Sequence, residues 1–126
     1  MIATQDAIAA SKALMQELHS DTSRWDENMA AAEAMLRRAL ALSPQDTDIL
    51  TCLGAVLCDQ GKYQEAVALL GLAVKLGAGD SHTHYNLGVA LLGHAQPGTA
   101  RAAFKKAQRY PASALTWQAC FDPQAQ

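Results

Sequence analysis

Apolar residues recur along this chain at helical spacing. Ile8, Met15 and Leu18 share one face of a segment from 4 to 19, and steps of three and four continue through 24–42, 47–60, 63–76, 81–94, 97–109 and 114–121, as expected of helices that turn one face to a core. No stretch alternates apolar and polar positions long enough to predict a strand. The longest apolar run, Ala66 to Val74, lies inside one helical segment. Asp46 or Thr47, Asp80 or Ser81, and Ser113 stand where N-caps are wanted, and Pro44 and Pro111 follow segments that must stop. Gly61 and Pro97 fall between paired helices. The pattern predicts an all-α stack.

The stack has a period. Leu53-Gly54 recurs as Leu87-Gly88, Leu57 as Leu91, Ala66 as Ala100, Leu70 as Phe104 and Ala73 as Ala107, each pair 34 residues apart. The same offset run backwards sets Ala32, Leu36 and Ala39 under Ala66, Leu70 and Ala73. Residues 4–46 therefore read as a divergent repeat, followed by repeats at 47–80 and 81–113, a capping helix at 114–121 and a tail at 122–126, all in one domain. Gly54 and Gly88, with the alanines of the second helices, are small where paired helices must approach closely, and Leu53, Leu70, Leu87 and Phe104 supply bulk between them.

Leu53-Gly54, Leu57, Gly61-Lys62-Tyr63, Glu65-Ala66, Leu70 and Ala73, then Tyr85-Asn86-Leu87-Gly88, Leu91, Ala100, Phe104 and Ala107 resemble tetratricopeptide repeats, whose 34-residue unit is a helix–turn–helix. The resemblance is good over 47–114, fair over 24–46 and weak at the ends. Leu50 and His84 stand where the family often has tryptophan, and Ala95-Gln96-Pro97 where Gly-x-Tyr is usual. The fold implied is an α-solenoid of about three repeats closed by the C-terminal helix.

Composition narrows the chemistry. Ten basic against twelve acidic residues, a formal charge of −2, lack the basic footprint of a nucleic-acid binder. The nine-residue apolar run is about half of the roughly 18 needed to span a bilayer, and the N-terminus lacks the pattern of a secretory leader. A soluble cytoplasmic protein is expected, with no nucleic-acid or membrane partner. Cys52 and Cys58 diverge on one helix and cannot bridge, so reduced thiols follow. His82 and His84, two apart on a helix, point to different sides and predict no metal site. No phosphate loop, serine elbow or carboxylate pair appears. No cofactor is expected, and no enzyme.

What remains is surface. The resemblance implies a concave groove lined by first helices, here Asp48, Thr51, Cys52, Ala55 and Asp59, then His82, Tyr85, Asn86, Val89 and Leu92, to hold a peptide or helix of a protein partner. Asn86 is the sharpest candidate, since an amide both donates to and accepts from a ligand backbone. Acidic tails of heat-shock chaperones are not expected ligands. Of the lysine, arginine and asparagine residues that clamp them in the family only Asn86 is matched, the others being replaced by Thr51, Ala55, Thr116 and Cys120. Arg101, Lys105 and Arg109, with Lys106, form a basic outer stripe that reads as a solvated face. The preceding outer stripe, Gly71, Leu72 and Lys75 with Ala68 a turn earlier, is nearly apolar, and Ala68, Gly71 and Leu72, with Leu115 on the capping helix, suit self-association into a homo-oligomer. The sequence thus points to a non-enzymatic adaptor or chaperone-like module, with a self-associating scaffold as the alternative.

Overall fold

The computed structural model describes residues 4–20 and 25–120. Six α-helices follow one another, with no strand among the described residues: α1 (Thr4–Ser20), α2 (Trp25–Leu42), α3 (Thr47–Asp59), α4 (Tyr63–Lys75), α5 (Ser81–Gly93) and α6 (Pro97–Ala107). The expected start of the second helix at residue 24 lies outside the described residues. The chain begins α3 where the Asp46 carboxylate accepts the amides of Asp48 and Ile49 at 2.9 and 3.1 Å, a cap worth about 1 kcal/mol. Pro97 opens α6 at a position that needs no N–H.

Short turns fold each helix back on its predecessor. The hairpins α1/α2, α3/α4 and α5/α6 lean on one another through α2–α3 and α4–α5, while the first helices α1, α3 and α5 also touch along one side. The core centres on α3, where every residue from Ile49 to Cys58 is buried. Met29 and Leu36 of α2, Leu70 of α4 and Val89 of α5 pack around it, each contributing about 1.5–3 kcal/mol of apolar burial. A methyl group placed on Gly54 would collide with the isobutyl group of Leu70, and one on Gly88 would stand 2.7 Å from the Phe104 ring.

A surface network ties the first two hairpins together. Glu33 of α2 receives Arg37 Nε at 2.7 Å, Gln60 Nε2 at 2.8 Å and Lys62 Nζ at 3.0 Å, while Arg37 Nη2 also meets the Glu65 carboxylate at 3.0 and 2.9 Å. Burial by itself would raise the Glu33 carboxyl, but its donors outweigh that and hold it at about 2.

The expected capping helix over 114–121 is not formed. Residues 114 and 115 make a single turn and residues 116–119 carry no helical structure, while Phe121 and the tail 122–126 lie outside the described residues. Ser113 does act as its sequence suggests, its Oγ accepting Leu115 N at 3.1 Å and its carbonyl accepting Thr116 N at 3.4 Å. The turn does not propagate. A helix of eight residues is too short to stand on its own, Thr116 and Trp117 are indifferent helix formers, and other partners await the backbone of this segment.

The seams predict opposite responses to one added methyl. Gly88→Ala overpacks against Phe104 and should cost about 1–3 kcal/mol, lowering Tm by roughly 5–10 °C. Gly71, inside α4 with nothing within 4 Å of a Cβ, should instead raise Tm by a few degrees on replacement by alanine, as a helix-interior glycine costs about 0.5–1 kcal/mol. Calorimetry of the two variants measures both.

Candidate functional site

The crease between α3 and α5 is filled by the segment that follows α6. The chain turns at Tyr110, whose ring stacks on His84 with centroids 4.7 Å apart, and Pro111 accepts the amide of Ser81 at 2.9 Å. Residues 113–120 then run from the N-terminal end of α5 toward the C-terminal end of α3.

At the entry, Asp80 collects hydroxyl groups. Its Oδ1 accepts from Thr83 Oγ1 and its Oδ2 from Thr116 Oγ1 at 2.8 Å. A threonine hydroxyl has one proton, so the remaining contacts acquire a direction. Thr51 Oγ1 donates to Thr83 Oγ1 at 2.6 Å, and His82, protonated on Nδ1, donates to Thr116 Oγ1 at 2.8 Å. Thr116 is thereby anchored, not activated as a nucleophile.

Farther along, Asn86 grips the segment from both sides. Its Nδ2 donates to the carbonyls of Trp117 at 3.0 Å and Thr51 at 3.4 Å, and its Oδ1 accepts the amide of Ala119 at 2.8 Å. The amide is fully buried. Cys52 Sγ reaches the Leu115 carbonyl at 3.5 Å, and Asp59 Oδ1 accepts the Cys120 amide at 2.8 Å. Trp117 is 9% exposed and joins the core around α3. Its indole N–H is buried without a hydrogen-bond partner.

The repeat geometry has a counterpart among known families, for a tetratricopeptide-repeat model matches residues 26–87. The chain belongs to the tetratricopeptide-repeat family. No curated protein matches it. Repeats of this family generally mediate protein–protein interaction.

Of the ten predicted groove residues, Thr51, Cys52, Asp59, His82 and Asn86 bond to the segment or within the network beneath it. Ala55 and Val89 are buried in the core around them. Asp48 is half-buried at the entry, its carboxyl pushed up by burial and by the neighbouring Asp46 and Asp80. Two positions depart from expectation. Tyr85 turns to Phe104, centroids 5.4 Å apart and planes 59° from parallel, and Leu92 packs with Leu91, Ala100 and Ala103 against α6. Both face their own hairpin. The sequence also missed Asp80 and Thr83 as groove groups, because Asp80 reads simply as an N-cap.

Elsewhere, Ala68 is exposed, Gly71 half-buried and Leu72 38% exposed on the outer side of α4. Leu115 is 37% exposed, on the turn and not on a helix. Cys52, Cys58 and Cys120 are free thiols. Burial pushes all three up, Cys58 to about 12 and Cys120 to about 11, with Asp59 adding to both. No cluster among the described residues could hold a metal ion, and no described helix is long and apolar enough to cross a membrane.

Burial also lowers His82 and His84. Lys12 adds to the effect at His82 and Lys106 at His84, while Asp80 opposes it at both. The unfolded chain thus binds these protons more readily than the folded one. Stability should be level between about pH 7 and 8 and should fall as pH drops through the ordinary histidine value near 6.5. Urea midpoints at pH 7.5 and 5.5 should differ, and replacing both histidines with asparagine should flatten the dependence.

Proposed function

We propose that the protein is a non-enzymatic adaptor or chaperone-like module, acting in the cytoplasm, that holds a peptide segment of a protein partner in the crease between α3 and α5. The grip of Asn86 carries this reading. One side chain donates to Trp117 O and accepts from Ala119 N, which is how a neighbouring strand would satisfy an extended chain, and it does so wherever a backbone presents those two atoms. An extended ligand is favoured over a helical one, since a helix spends these same groups on itself. Acidic chaperone tails remain poor candidates, for the groove meets its occupant with Asp59 and Asp80, and carboxylates repel a carboxylate.

Affinity capture with the full chain, using its native cell extract, tests the reading against self-association through α4. In a chain whose segment 113–120 is weakened by Ala119→Pro, so that it does not compete for the same side chain, Asn86→Ala should reduce recovery of the bound partner about tenfold or more, as loss of a central anchor costs above roughly 1.4 kcal/mol. Leu72→Lys should leave recovery unchanged. The reverse pattern would move the binding surface to the outer face.

A further inference from the structure

We infer that the groove's ligand is an extended segment of another protein bearing a hydroxyl residue, then a large aromatic, any residue and a small one, and that residues 113–120 are a built-in stand-in that this ligand displaces. The inference rests on the groove being a peptide site.

The contacts divide by what they read. Cys52, Asn86 and Asp59 take only backbone atoms, those of Leu115, Trp117, Ala119 and Cys120, so they tolerate any sequence. Thr116 differs, because its buried hydroxyl both donates to Asp80 and accepts from His82. A side chain without a hydroxyl would take the donor from the half-buried Asp80 carboxylate and leave His82 facing a buried position with no acceptor. The next position supplies a ring that joins the core, yet its N–H has no partner, so the site selects the ring and not the indole. Gln118 is exposed, and Ala119 is buried with its amide clamped, leaving no room for a large side chain.

The same contacts make the occupant removable. Both flanks turn their side chains to solvent, Leu115 being 37% exposed and Cys120 exposed, and the stranded indole N–H is a defect that a ligand with phenylalanine there would lack. A second copy of this chain is not the ligand. It carries only the same sequence, and a tethered segment competes at an effective concentration in the millimolar range.

The test uses the full chain and a fluorescein-labelled peptide, Ser-Ala-Leu-Thr-Trp-Gln-Ala-Ser, read by anisotropy. The wild-type chain should bind it no tighter than about millimolar. Chains carrying Trp117→Ala or Ala119→Pro, which weaken the tethered segment and leave the groove walls intact, should bind at least tenfold tighter, and adding Asn86→Ala should abolish the gain. Peptides with valine for threonine, or leucine for the second alanine, should bind at least tenfold more weakly, whereas phenylalanine for tryptophan should bind equally or better. Hydrogen exchange of the wild-type chain should show the Ala119 and Cys120 amides at least a hundredfold less protected than those of α3. Equal protection, or no gain in either variant, would make the segment a fixed part of the fold and overturn displacement, leaving the groove reading to the Asn86 capture result. A gain shared equally by all peptides would overturn the sequence preference. A gain that survives Asn86→Ala would overturn the groove reading itself.

Discussion

The distance between paired helices sets everything else in this protein. At Gly54 and Gly88 the space a Cβ would need is already taken by Leu70 and Phe104, so each first helix is drawn tightly onto its second. Successive hairpins then stack with α3 and α5 side by side, and the crease between them is narrow. Short side chains on both walls can reach its centre: Cys52 and Asp59 from α3, His82 and Asn86 from α5. A wider seam would need longer arms and would let water in.

A polypeptide laid in such a crease cannot keep its amides and carbonyls unpaired, since each orphan costs about as much as a lost hydrogen bond. Residues 113–120 meet this demand without a sheet and without a helix. Their partners are side chains fixed on rigid helices, and the directions of donation are set by the single proton each threonine carries. That order joins α3, α5 and the segment in one polar chain, from Thr51 through Thr83 and Asp80 to Thr116 and His82.

Much of this was legible because repetition writes the same constraint twice. The 34-residue spacing of small and large residues gave the helix pairs, and the register put Asn86, Asp59 and His82 on the groove side. Register is an angular statement, however, and neighbouring residues on a helix differ by about 100°, which is enough to swing Tyr85 from the groove to Phe104. The C-terminal segment departs from its local pattern for a different reason. Ser113 and the spacing of its apolar residues suit a helix, but what decides its conformation lies on Asn86 and Asp59, roughly 30 and 60 positions earlier in the chain. No local pattern carries that information.

Two aspartates in equivalent places have been put to different work. Asp46 caps α3 with its carboxylate, whereas Asp80 at the start of α5 makes no such bond and spends both oxygens on threonines, one of them in the bound segment. The amide of Ser81, first in the helix, is taken by the Pro111 carbonyl. Displacement of the segment, as proposed, would free Oδ2 of Asp80 for the helix it heads while Oδ1 keeps Thr83, and a side-chain cap there is worth about 0.5–2 kcal/mol. Opening the groove would thus trade a bond to the segment for a cap on the groove wall.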